Sequence, residues 1–238
     1  SVPTMIAASR SNMATAIHEQ NAVLGRANRL LAGRVAHIAT SFEQTSNIAP
    51  ANRAKITVTG NPVRPAIAEI AARAYDEPKT DGTLHLLITG GSQGARVFAE
   101  LVPAALALLE PKIRGRLSIA QHCRPEDLER VYKRYRASGI QAEVAKFFYD
   151  LPVRMEAAHL VICRAGASTV AELAAAGRPA ILVPYPHATD DHQSANGRAL
   201  ERAGGAIIMP EAEISAERLA EQLNTFLDTP GSLTQAAM

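Results

Sequence analysis

Residues 84–89 read LHLLIT, a continuous apolar run of strand length; the glycine-rich turn GGSQGA follows at 90–95, and residues 97–109 repeat apolar positions at helical spacing. A strand, a glycine loop and a helix in that order make one parallel α/β unit, since the helix carries the chain back to start a neighbouring strand. The pattern recurs. Strand signals fall at 117–122, 142–146, within 157–163, at 180–184 and at 206–209, separated by helical patterns at 125–138, 170–176 and 216–227. Runs of Ile, Leu and Val without polar alternation imply strands buried on both faces, wound with right-handed crossovers. About five or six strands then form a Rossmann-like domain over residues 61–238. Before it, 22–32 reads as a helix stopped by Gly33, 35–39 and 55–59 as short strands, and 66–81 as a helix running out into a surface connection.

Composition excludes several classes. The chain has 238 residues, 47% of them hydrophobic, and no Trp, which suits a helix-rich α/β fold better than a β-sandwich. A formal net charge of +2 with no long run of like charge gives no argument for nucleic acid. Cys123 and Cys163 stand apart from any metal-like cluster, so a reducing compartment is expected, with neither a disulfide framework nor a metal site. The apolar stretch 1–8 is too short to span a membrane and lacks the basic start of a signal peptide.

Ligands of an open parallel sheet bind at the carboxyl ends of its strands, so three loops carry the functional reading. In the first, 90–95, glycines allow close backbone approach and the next helix offers amides to an anion such as a diphosphate; a tight turn with no ligand is the plainer alternative. The loop is neither the GxGxxG dinucleotide fingerprint nor a P-loop, which disfavours NAD and ATP. In the second, RAGAST at 164–169, small residues open a helix and Glu172 lies one turn on. That carboxylate can accept paired ribose hydroxyls, or it can be the capping-box partner of Ser168 or Thr169. In the third, PYPHATDDHQSAN at 184–196, the amide, carboxylate and imidazole groups suit a hydroxyl-rich sugar; a solvated loop capping the next helix is the alternative, and a metal site is disfavoured.

HEQNAVLGRANRLLA from 18, GNPVR from 60, GGSQGAR from 90, CRAGASTVAELAAAGRPAILVP from 163 and ATDDHQSANG from 188 occur in the order and approximate spacing of one family. The sequence resembles the MurG glycosyltransferases over residues 17–227. That resemblance implies a GT-B architecture: one complete Rossmann-like domain at 61–238, binding UDP-GlcNAc, and residues 1–60 as the remnant of an acceptor-side domain. It implies transfer of GlcNAc from UDP-GlcNAc to the lipid-linked precursor lipid I at the cytoplasmic face of the bacterial plasma membrane, with no cofactor and no metal.

Position by position, the resemblance places Ser92, Gln93 and the 91–94 backbone at the diphosphate, with Arg64 nearby. Phe148 falls where the main chain reads uracil, Arg164 borders the nucleotide, and Glu172 holds the ribose. Ala167, Ser168 and Thr169 belong to the phosphate and sugar loop, His192 and Gln193 face GlcNAc, and Asn21 reaches the sugar across the cleft. The family's opening strand and its GGH loop, which carries base-side groups, have no counterpart before HEQN, so the catalytic base is unassigned. Residues 1–16 fit the strand expected there only loosely, and the first dozen of them read as miscalled, rearranged or foreign sequence. The alternative reading is a UDP-GlcNAc-binding fragment without turnover. A UDP-GlcNAc 2-epimerase is disfavoured by HEQN together with GGSQGAR.

Overall fold

A computed structural model describes residues 2–11, 13–79, 81–91, 96–228 and 231–237. The chain opens with helix α1 (Val2–Arg10), strand β1 (Ala16–Glu19), α2 (Arg26–Ala32), β2 (His37–Thr40), β3 (Ile56–Val58) and the short α3 (Pro65–Ala68). It continues with β4 (Leu84–Thr89), α4 (Arg96–Ala107), α5 (Pro111–Arg114), β5 (Leu117–His122), α6 (Leu128–Ala137), β6 (Gln141–Ala145) and α7 (Leu151–Ala157). Then come β7 (Leu160–Cys163), α8 (Ala167–Ala176), β8 (Ala180–Leu182), α9 (His192–Arg202), β9 (Ala206–Ile208), α10 (Ala216–Asp228) and α11 (Ser232–Ala237).

Two parallel sheets result, β1-β2-β3 and the six-stranded β6-β5-β4-β7-β8-β9. The second is the doubly wound order in which the winding reverses between β4 and β7, opening a crevice at their carboxyl ends. Alternation along β4 sends Leu84, Leu86 and Ile88 into a core with α4, α6 and α10, while Leu87 joins Val161, Leu182, Ile67 and Leu173 on the opposite face. β7 is buried at all four positions, as a strand covered on both faces must be. One polar side chain lies in this core without cost: Gln121 donates from Nε2 to the Phe98 carbonyl (3.1 Å) and accepts the Tyr135 hydroxyl, so both its groups are paired.

Two expectations need correction at the amino-terminal end. The helix expected over 22–32 begins at Arg26, because the preceding backbone is used elsewhere: Ala22 N–H donates to Asn196 Oδ1 (2.8 Å) and Leu24 N–H to the Ser46 carbonyl (3.0 Å). Residues 2–10 are not foreign to the fold. They form α1, whose Val2, Met5 and Ile6 pack on the small sheet's core of Ile17, Leu24, Leu31 and Ile38.

Candidate functional site

At the reversal between β4 and β7, the chain leaves β4 through Gly90 and Gly91, the latter at φ +76°, which a side chain would resist. A pocket of about 250 Å³ lies beside this turn, lined by Thr89, Gly91, His122, Phe147, Phe148, Leu151, Met155, Thr169 and Glu172. Its walls come from the ends of β4 and β5, the loop after β6, and helices α7 and α8. Aromatic and aliphatic side chains face a threonine and a carboxylate across it, a lining suited to a flat ring bearing a polar sugar. A wider hollow of about 500 Å³, between Asp76, His85, His159 and Arg178, lies at the opposite ends of the strands, where open sheets do not hold ligands. Ser92 and Gln93 lie outside the described residues.

Helix α8 begins at Ala167 with Gly166 as its N-cap and no side-chain cap. The capping-box alternative for Ser168, Thr169 and Glu172 therefore falls away, and the first-turn amides of a ten-residue helix point toward the crevice mouth. Ala167 is buried, Ser168 exposed and Thr169 lines the pocket. Glu172, on the next turn, forms a two-point pair with Arg64, which comes from the segment joining the two sheets: Nε donates to Oε1 at 2.7 Å and Nη2 to Oε2 at 2.9 Å. Phe148 is buried, with the Arg154 guanidinium 4.1 Å from its ring centre. His122 Nε2 donates to the Lys146 carbonyl at 2.7 Å, which ties the end of β5 to the aromatic loop.

The third loop is built from backbone contacts. His192 Nδ1 donates to the Thr189 carbonyl (2.7 Å), and Gln193 Oε1 accepts the Tyr185 N–H (2.9 Å). Asp190 and Asp191 both sit in the left-handed region, φ 53° and 50°, a strained conformation for non-glycine residues. Asp190 is held there by Arg29 at 2.6 Å, from the other sheet's α2. Arg164 faces the same loop, donating to the Val183 and Pro184 carbonyls (both 3.1 Å) and pairing with Glu211 (2.6 Å), so it braces the two loops against each other.

Across the crevice, Glu19 is only 4% exposed and accepts N–H groups from Asn21, Gly25 and Asn28. Burial works against its charge, but the Gly25 and Asn21 amides and the side chains of Asn28 and Asn21 outweigh it and hold its pKa below the ordinary glutamate value. This carboxylate shapes the turn that presents Asn21. Asn21 Oδ1 accepts from Asn196 Nδ2 at 3.1 Å, and Asn196, 0% exposed, also donates to the Ala165 carbonyl (3.2 Å). The structure thus gives Asn21 a bridging contact between the sheets. His18 is engaged as well, with Nε2 3.2 Å from the Gly60 carbonyl. Among the described residues, no group of three or more His, Cys, Asp or Glu is placed to hold a metal.

This geometry coincides with a sequence match: residues 85–238 fit the family model described as the glycosyltransferase family 28 C-terminal domain. The chain belongs to glycosyltransferase family 28. A relative in Rhodospirillum rubrum, named UDP-N-acetylglucosamine–N-acetylmuramyl-(pentapeptide) pyrophosphoryl-undecaprenol N-acetylglucosamine transferase, is 56% identical over all of this chain and 60% of its own length. One of the same name in Rhodospirillum centenum is 54% identical over all of this chain and 62% of its own. The crystal structure of Acinetobacter baumannii MurG superposes with a TM-score of 0.80 at 33% identity, covering 99% of this chain and 64% of that one. The chain thus spans about 60% of the length of these relatives. A UDP-GlcNAc 2-epimerase from Neisseria meningitidis bound to UDP-GlcNAc shares the fold at a TM-score of 0.64 and 14% identity.

Of the residues expected from sequence, Phe148, Thr169 and Glu172 line the pocket, and Thr89, His122 and Phe147 line it beside them. His122 and Thr89 carry the one available signal, their position at strand ends; Phe147 stood in plain view beside Phe148. The bridging roles of Asn196 and Arg29 had no signal, because their partners lie more than 150 residues away.

Proposed function

We propose that the chain is the donor-binding part of an inverting, metal-independent transferase that moves GlcNAc from UDP-GlcNAc to lipid I, giving lipid II. The observation that carries this is the pocket at the β4/β7 reversal, with Phe147 and Phe148 on one wall and Glu172 on the other. In this reading the main chain at Phe148 meets uracil, and Glu172 accepts the ribose hydroxyls. The α8 amides at Ala167, Ser168 and Thr169, together with Ser92, Gln93 and Arg64, hold the diphosphate. Arg164 borders the nucleotide through the loops it braces, while His192, Gln193 and Asn21 approach GlcNAc. The names of the relatives and the order of the five motifs support the assignment.

The boundary near residue 60 belongs to the same proposal. It is supported by Ile67 and Ile70, which pack on the larger sheet's face, whereas residues 2–58 supply the small sheet and its core. Lipid I and the cytoplasmic face of the plasma membrane are the proposed partners on the acceptor side; among the described residues no helix is long and apolar enough to cross a membrane.

Transfer needs a base for the acceptor hydroxyl, and proximity of both substrates supplies much of the rate. The family's GGH loop has no counterpart in these 238 residues, and the His18 imidazole is turned to Gly60. A second reading follows: on its own this chain binds the donor without turnover. The test is labelled UDP-GlcNAc with a lipid I analogue, given to this chain and to the chain preceded by the amino-terminal part of the R. rubrum relative. Transfer by the longer protein and little by the shorter is expected. An epimerised UDP-sugar from either would replace the transferase reading with a 2-epimerase.

A further inference from the structure

Both oxygens of Glu172, the proposed ribose carboxylate, are occupied by the Arg64 guanidinium at 2.7 and 2.9 Å. Such a fork-on-carboxylate pair uses the same lone pairs that would receive a ribose diol. The partners are unequal. Glu172 is held on α8 with its side chain 14% exposed, whereas Arg64 is 46% exposed and reaches over from the segment joining the sheets, so Arg64 is the one free to leave. The first turn of α8, which has no side-chain cap, is only about 5 Å along the helix from Glu172, at 1.5 Å per residue from Thr169, and its amides suit an anion.

Resting on the nucleotide reading of the pocket, we infer that Arg64 couples ribose recognition to a bound diphosphate. Without a diphosphate, Arg64 stays on Glu172. A diphosphate seated at the α8 amides draws the guanidinium to itself and releases the carboxylate to the ribose hydroxyls. The site then disfavours nucleosides for a reason beyond their missing phosphates, since a nucleoside must displace Arg64 with nothing to receive it. Diphosphate and nucleoside, added as separate molecules, consequently favour each other's binding, because each prefers the state in which Arg64 has turned.

The experiment titrates the whole chain with uridine, with UDP, and with uridine in saturating inorganic pyrophosphate, followed by NMR shifts or calorimetry, for the wild type, Arg64→Gln and Glu172→Gln. Pyrophosphate should tighten uridine binding to the wild type about two- to fivefold, the range for releasing a partly exposed ion pair. Arg64→Gln should bind uridine tighter than the wild type by a similar factor, bind UDP more weakly, and show no further gain from pyrophosphate. If Arg64 only anchored its segment to α8, Arg64→Gln would lower the melting temperature and uridine binding would ignore pyrophosphate in both proteins; that result overturns the inference. UDP binding that needs Glu172 but shows no coupling sinks the Arg64 gate and leaves the pocket standing. No UDP binding by the wild type sinks both.

Discussion

Asn196 holds the two sheets together with one side chain. Its Oδ1 takes the Ala22 N–H, its Nδ2 serves Asn21 and Ala165, and Asn196 itself has no exposure to water. Asn196→Ala leaves a buried N–H and a buried carbonyl unpaired, and should cost about 1–3 kcal/mol of stability, read as a lower urea midpoint. An unchanged midpoint would mean that water replaces the amide. Gln193 is different. Its Oε1 is used by the Tyr185 N–H, and in the proposed reading its amide N–H groups face GlcNAc. Gln193→Ala should weaken UDP-GlcNAc and leave UDP nearly unaffected; an equal loss for both would reassign the loop to the diphosphate or to folding.

Among the elements, strands were the legible part. The span 117–122 matches β5 to the residue: Leu117 and Ile119 are buried at alternate positions, the period of a strand. Helix α8 begins three residues before the expected start, since Gly166, not a serine or threonine, is its cap. Helix α1 was missed because its meaning lies in the core it covers. At the other end of α8, Gly177 closes the helix at φ 58°, and an added Cβ would stand 3.0 Å from the Ala237 carbonyl oxygen. Gly177→Ala should therefore cost about 1–2 kcal/mol from the left-handed backbone alone, measurable by thermal melting; a neutral substitution would show that the helix end leaves the left-handed conformation at no cost.

His159, leading into β7, gives the larger sheet a pH dependence. Its Nδ1 accepts the His85 N–H at 2.9 Å, so the neutral ring is the one that fits, and burial first, then the neighbouring His85 charge, lowers its pKa below the ordinary value. The folded state thus binds this proton more weakly than the unfolded state. Its contribution is complete above the unfolded value of about 6.5 and is lost as pH falls from there toward the lowered folded pKa. His159→Gln, which can still accept the His85 N–H, should flatten the fall in melting temperature between about pH 7 and pH 5. An identical slope in both proteins would place the titration elsewhere.

Over the whole molecule, the two sheets meet along a seam. Asn21–Asn196, Arg29–Asp190 and Arg202–Gln44 (2.7 Å) cross it, and Phe42 packs on the larger sheet's core. The loops of the candidate site could be found in sequence because each follows a strand. The seam could not, because it joins positions far apart in the chain whose residue types are ordinary. The crevice beside this seam is the centre of the account, and calorimetric titration of the chain with UDP, beside a folded Glu172→Ala variant, tests it most directly. Saturable one-to-one binding, weakened by about 1–3 kcal/mol in the variant, the scale for losing a charged hydrogen bond, is the result expected. UDP binding of equal strength in both proteins, or none in either, would contradict it.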